Sequence, residues 1–318
     1  MVIVHRDNQV YKIDPMADTA VRKLCEFYST KFKSILESFN IPYKFTDYED
    51  YTGNYFVGRF AQADVKYHSK VYNKLYNYYG ENMWPNKKTY DYYNNKIKEY
   101  DIIKKYDRVP NTIICNTIED LYKNIEVGTV VKSSHGAGSE QVFYIYKKEQ
   151  IENLEKYILG CNLPNIKPFF PCIITEYIDV DYEYKIIITH DEIYGVKVRQ
   201  FKDFETPNMF PHNIDYEKVH WGLRDVPPTL PMEEKDYDLE LLNIIRDIKK
   251  ELNTPNLKFD IMGNKIIEFS YIYGELLPLN SEYCYYDLIE ETFKYKKTSI
   301  REFSNKQNYS VLKHFGII

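Results

Sequence analysis

The sequence predicts an α/β (α+β) fold, on three observations: an opening run that reads β-α-β-β, several amphipathic helices, and two alternating hairpins in the second half. Val2 to Val4 form a short apolar strand. Val21, Leu24, Cys25, Tyr28, Phe32, Ile35, Leu36 and Phe39 then recur at helical spacing. The stretch G-N-Y-F-V-G-R-F, residues 53–60, reads as a strand with glycine at both edges. A tyrosine-rich helix from about Asp64 to Tyr79 is broken by W-P-N-K-K. After Pro85 the apolar positions Ile97, Tyr100, Ile103 and Tyr106 mark one helix, which closes on Val109-Pro110 before a strand at Thr112 to Cys115. A short helix, Ile118 to Asn124, leads into the strand V-V-K. Beyond it lie a helix from Glu149 to Leu159 and a strand from Pro171 to Thr175. A hairpin follows from Glu183 to Phe201, turning near Asp191-Glu192. Tyr237, Leu241, Ile244, Ile245, Ile248 and Leu252 make a strongly amphipathic helix. The strands L-K-F-D-I-M and K-I-I-E-F-S, joined at Gly263-Asn264, make the second hairpin.

Composition narrows the function. A chain of 318 residues with 44% hydrophobic content can bury one large core or two to three smaller ones. The net charge of −5 is spread along the chain, so no basic face points to nucleic acid. Cys25, Cys115, Cys161, Cys172 and Cys284 are widely separated and lack C-x-x-C spacing, which reads as thiols in a reducing compartment. No apolar run approaches the ~18 residues that span a bilayer, so a cytoplasmic protein without a membrane partner is expected. Tyrosine is abundant, 33 residues, but it falls within Lys/Asn-rich text throughout, a compositional bias more than a set of stacking platforms.

Two places carry candidate chemistry. Residues 130–142 read V-V-K-S-S-H-G-A-G-S-E-Q-V, a strand end, a lysine and a small-residue loop. An ordinary hairpin and a loop lying over phosphates both fit that text. On the last hairpin, Asp260 and Glu268 are each flanked by apolar residues, so both carboxylates project from one face of a half-buried pair of strands. Opposed carboxylates repel unless a cation joins them, and Mg²⁺ is held by one or two carboxylates plus substrate phosphates. A solvated face neutralised by Lys258 and Lys265 is the other reading.

The order of these features is more specific than any one of them. A lysine-led helix ending in V-P-N-T, the V-V-K strand and loop, a strand ending in T-E-Y-I with an acid seven residues on, a basic hairpin strand, and finally F-D and I-I-E occur in that sequence. In this order the chain resembles the ATP-grasp superfamily over roughly residues 85–280, and within it the divergent members of surface-polysaccharide and peptide-ligase gene clusters. The resemblance implies two α+β subdomains sandwiching ATP, preceded by a small α/β domain. The expected boundaries are 1–85 for the N-terminal domain and 86–318 for the ATP-grasp domain, with a lid at about 110–175 and a C-terminal subdomain at about 176–318.

The resemblance also implies roles. Lys96 would be the first phosphate lysine, and Lys132 would reach the α- and β-phosphates. The backbone of Gly136, Ala137, Gly138 and Ser139 would cover the β- and γ-phosphates. Glu176 would meet the adenine amino group, Tyr177 and Ile178 the adenine edge, and Glu183 the ribose. Lys185 and Arg199 would neutralise charge on the transferred phosphoryl group. Asp260 and Glu268 would bind Mg²⁺. The family's E-x-N is E-F-S here, so Ser270 stands where an asparagine ligand is expected. The implied activity is an ATP-dependent carboxylate–amine ligase acting through an acyl-phosphate on small-molecule or peptide substrates. A kinase on the same fold and a nucleotide-binding protein without turnover are the alternatives. The resemblance suggests a homodimer paired through N-terminal domains. His135 in the loop and Arg59 at a strand end are further candidates for substrate or phosphate contact.

Overall fold

The computed structural model describes residues 1–5, 32–46, 49–58, 65–93, 95–134, 142–160, 169–199, 229–271, 282–297 and 306–318. They form three sheets. The first is parallel, in the order β2-β1-β3-β4, from β1 (Val2–His5), β2 (Tyr43–Thr46), β3 (Tyr55–Val57) and β4 (Met83–Trp84). Alternation along β1 and β3 splits its apolar residues between two faces. Ile3 and Phe56 pack with Val71, Tyr72 and Leu75 of a helix at Val65–Tyr79, named α2 here. Val2, Val4 and Val57 join Phe32, Ile35 and Leu36 from α1, described over 32–38.

The second sheet is antiparallel, in the order β5-β8-β6-β7: β5 (Thr112–Cys115), β8 (Cys172–Glu176), β6 (Thr129–Ser133) and β7 (Val142–Ile145). One face carries Cys115, Val131, Phe143, Ile145, Cys172 and Ile174 against α5 (Ile118–Asn124) and α6 (Glu149–Gly160). Lys132, next to Val131, therefore belongs to the opposite face. Cys115, Cys172 and Cys284 are buried free thiols.

The third sheet has seven strands in the order β13-β12-β9-β10-β14-β15, with β11 (Thr229–Pro231) also on β10. These strands are β9 (Tyr182–Ile188), β10 (Glu192–Arg199), β12 (Leu257–Met262), β13 (Lys265–Ser270), β14 (Glu282–Asp287) and β15 (Thr292–Lys297). Ile186, Ile188, Phe259, Ile261, Ile266 and Phe269 face Leu241, Leu242, Ile245, Ile248 and Leu252 of α7 (Leu239–Leu252), forming the main core. Glu183, Lys185, Lys258, Asp260, Glu268 and Ser270 take the alternate positions, so the opposite face is ionic over β12, β13 and the start of β9, while Ile187, Tyr194, Val196 and Tyr283 form a smaller apolar cluster farther along it. A helix at Lys306–His314, α8, returns to the main core through Val311 and Leu312.

Several expectations are revised. The single helix expected after Pro85 is two helices, α3 (Lys87–Tyr93) and α4 (Lys96–Ile103). Asn95 starts the second one, its side chain accepting from the backbone N–H groups of Ile97 and Lys98. The hairpin β14–β15 and α8 were not foreseen, because E-Y-C-Y-Y-D and T-F-K-Y-K-K mix aromatic and charged residues without clear apolar alternation. No helix among the described residues is long and apolar enough to cross a membrane.

Candidate active site

Four charged residues from three elements meet between the small and large sheets. Lys96 is the first residue of α4, and its backbone N–H donates to the carbonyl of Ser134 at 2.9 Å, tying the helix start to the end of β6. Its ammonium reaches across to Glu268 on β13, with Nζ 2.5 Å from Oε2. Lys96 is 6% exposed and Lys132 8% exposed, both nearly removed from water. Glu99, one turn along α4, is 2% exposed.

Electrostatics follow from this enclosure. Burial opposes the charge on Lys96, but Glu268 and Glu99 outweigh it and hold the ammonium above its ordinary range. Burial opposes ionisation of Glu268 too, yet Lys96 prevails and keeps its carboxyl well below the usual value. Burial pushes the Glu99 carboxyl up, against the pull of Lys96. Lys132 is pushed down to about 8, by burial first and by the neighbouring Lys96 ammonium second.

The rest of the site lies on the ionic face of the large sheet. Asp260 is the cross-strand partner of Glu268 on one side and of Lys185 on the other. A β-bulge at this point sets Ile267 as the extra residue, which restores the Glu268 side chain to the face of Asp260. Asp260 accepts from Lys258 at 2.8 Å and from Lys185 at 3.3 Å. Lys185 also donates to Glu183 at 2.6 Å. Burial would lower Lys185, but Asp260 and Glu183 more than compensate and raise it. Ser270 follows Glu268 on the same face, opposite Lys258.

Other expected residues are placed differently. Arg199 pairs with Tyr182 at the end of β10. The side chain of Arg199 lies outside the described residues, as do Gly136, Ala137, Gly138, Ser139, His135 and Arg59. Glu176 ends β8, where its carboxylate accepts from the backbone N–H and the side-chain amide of Asn111, each at 3.2 Å. Tyr177 donates its N–H to the carbonyl of Gly128 at 3.0 Å and stacks its ring on Tyr144 at 4.3 Å. Ile178 follows in the connection to β9. Sequence reasoning missed Glu99 as a member of the cluster and Tyr144 as a ring on the open face of the small sheet. The signal for Glu99 was its place three residues after Lys96, on the same helical face.

No family model and no curated protein sequence matches the chain. Solved structures do resemble it. D-cycloserine synthetase DcsG superposes with a TM-score of 0.58 at 11% identity, over 98% of this chain and 98% of that one. The macrocyclase MdnC of Microcystis aeruginosa, bound with precursor peptide MdnA, gives 0.56 at 13% identity over 87% and 94%. A RiPP-associated ATP-grasp ligase of Chryseobacterium gregarium, in complex with ADP and a leader and core peptide, gives 0.53 at 11% identity over 100% and 96%. These likenesses extend over most of each chain, and with them the chain is shown to have the ATP-grasp fold.

Proposed function

We propose that the protein is an ATP-dependent carboxylate–amine ligase, which activates a substrate carboxylate as an acyl-phosphate for attack by an amine. The observation that carries the reading is the meeting of Lys96, Lys132 and Glu268, from a helix, the small sheet and the large sheet, next to the cross-strand pair Asp260–Glu268. Two buried ammonium groups facing two carboxylates are costly unless a ligand uses them. A nucleotide with its cation matches both signs.

The donor set fits Mg²⁺. Asp260 and Glu268 share one sheet face, and each is already neutralised by lysine, so positive charge is accommodated there. Asp260 and Glu268 would hold the ion, with the Ser270 hydroxyl beside them, and bound Mg²⁺ would neutralise phosphate charge. Lys96 and Lys132 would bind phosphate oxygens. Lys185, held charged between Glu183 and Asp260, would meet negative charge gathering on the transferred phosphoryl group. Tyr144 and Tyr177 would offer a stacked apolar wall to the adenine, with Glu176 and Ile178 beside it and Glu183 toward the ribose. The backbone of Gly136, Gly138 and Ser139 would cover the phosphates. A protein spending ATP in this way works in the cytoplasm.

The structural relatives include enzymes captured with precursor, leader or core peptides. A peptide carboxylate is therefore the first substrate class to try. The decisive experiment uses a candidate acid labelled with ¹⁸O in its carboxylate, ATP, Mg²⁺ and a candidate amine. An acyl-phosphate route releases ADP only with both organic substrates and moves one ¹⁸O into inorganic phosphate. ADP release with a single hydroxyl acceptor, and no label in free phosphate, would make the protein a kinase.

A further inference from the structure

A cleft of about 770 Å³ opens where α7, α8 and the tip of the β9–β10 hairpin converge. α7 covers the face of the large sheet opposite Asp260 and Glu268, so this cleft is separate from the candidate active site. Its charged lining is His190 from the hairpin, Arg246, Asp247, Lys249 and Lys250 from α7, and His314 from α8. Asn243, Asn253 and Thr254 add hydrogen-bonding side chains. The size falls within the roughly 300–1,000 Å³ of small-molecule sites.

Lysines in the last turn of a helix ordinarily offset its dipole or bond its free carbonyls. In α7 those carbonyls already have donors. The backbone N–H groups of Thr254 and Asn253 reach Lys249 and Lys250, Lys88 donates to Glu251 at 2.6 Å, and the Asn86 amide donates to Leu252 at 3.0 Å and Asn253 at 2.6 Å. The nearby acids are engaged as well. Asp191 accepts from Lys313 at 3.0 Å and lies 2.5 Å from His190, and Glu291 pairs with Arg246 at 3.2 Å. Lys249 is half-buried, and among the described residues its ammonium has neither a hydrogen bond nor an ion pair. Burial holds it below its ordinary range against the pull of Asp191. Burial and the Lys249 charge also lower His314, so its ring is neutral at pH 7 and offers an N–H donor. Asp247, exposed on α7, is the one acid among the lining residues. An enclosed cation without a partner is costly unless a ligand uses it.

We propose that this cleft is a second ligand site, for a small polyanion that carries phosphate or carboxylate groups on a polar body. Lys249 and His314 donate to an anionic group, Arg246 and Lys250 add positive charge, and Asn243, Asn253 and Thr254 meet the polar body. The site stands independently of the ligase reading.

The test is calorimetry at fixed ionic strength with pyrophosphate and with citrate, on the full chain as wild type, Lys249→Met, Lys235→Met and Lys132→Met. A hydrogen bond to a charged group is worth about a tenfold to hundredfold change in affinity. At least one probe should bind the wild type saturably, and Lys249→Met should weaken it at least about tenfold. Pyrophosphate as the tighter probe points to a phosphate-bearing ligand, and citrate to a carboxylate-bearing one. Lys132→Met removes an ammonium of the candidate active site and should leave this binding in place. Lys235, paired with Glu233 on the surface, is the control for diffuse charge attraction. Four results overturn the proposal: no saturable binding of either probe at millimolar concentration, wild-type affinity in Lys249→Met, an equal loss in Lys235→Met, or binding that disappears with Lys132→Met. If circular dichroism shows Lys249→Met unfolded, His314→Phe decides in its place: weaker binding by the folded variant supports the site, and wild-type affinity overturns it.

Discussion

Replacing Lys132 by methionine should make the ligand-free protein more stable while removing its nucleotide binding. Lys132 is buried and its ammonium titrates at about 8, against an ordinary 10.5, because burial and the Lys96 charge disfavour protonation. At ~1.4 kcal/mol per pH unit, that difference corresponds to about 3 kcal/mol of cost for keeping the group charged in the folded protein at pH 7. The pull of Glu268 and Glu99 is already contained in the value. Methionine keeps most of the buried volume and removes the charge, so a gain of about 1–3 kcal/mol is expected, after local relaxation. The sign has a pH signature. A lysine depressed in the folded state binds fewer protons than in the unfolded chain between pH 8 and 10.5, so wild-type stability rises across that window. The advantage of Lys132→Met should therefore shrink over the same range. Urea denaturation at pH 7 and at pH 10 measures both effects. A variant less stable than the wild type at pH 7 would mean that the ammonium serves the fold, and the functional reasoning would fail.

Three further outcomes are expected. Asp260→Asn leaves Lys185 and Lys258 facing each other without their shared carboxylate, at 3.3 and 2.8 Å in the wild type. It should cost about 2–4 kcal/mol in denaturant titrations and abolish any Mg²⁺-dependent stabilisation by ATP. Asn95→Ala removes the cap that starts α4 at Lys96. A loss of about 1 kcal/mol is expected, with weaker nucleotide binding as the first turn frays. Asp50 titrates at about 2, since Lys44 and Thr52 outweigh the opposing effect of burial. Its contribution, about 1–2 kcal/mol with the Lys44 partner half in solvent, is present above pH 4 and lost as pH falls toward 2. Asp50→Asn should flatten that part of the acid-denaturation curve.

Much of this architecture was legible because periodicity and burial agreed. The strand at Thr112–Cys115 and the helix at Ile118–Asn124 have the expected bounds, and Asp260 stands opposite Glu268 as expected, although it takes the β-bulge at Ile267, and not the Gly263-Asn264 turn alone, to bring them together. Legibility failed where a polar residue governed the backbone or the interior. Asn95 caps its own helix and so divides what apolar spacing read as one. On α4 the apolar count followed Ile97, which is half-buried, and passed over Lys96 and Glu99, which are buried. Charged residues enter an interior only as partners from distant parts of the chain, and the Lys96–Glu268 contact spans 172 positions.

The most direct test of the nucleotide site is a thermal-shift titration with ATP, with and without Mg²⁺, on the wild type and on Lys132→Met. Ligand binding to the folded state alone stabilises it by about 2.7 kcal/mol at a hundredfold excess over Kd. The wild type should show a Mg²⁺-dependent rise in melting temperature, and the variant should start from a higher melting temperature and show no rise. An unshifted wild type at millimolar ATP, or an equal shift in the variant, would contradict the assignment of the Lys96–Lys132–Glu268 cluster to the phosphates.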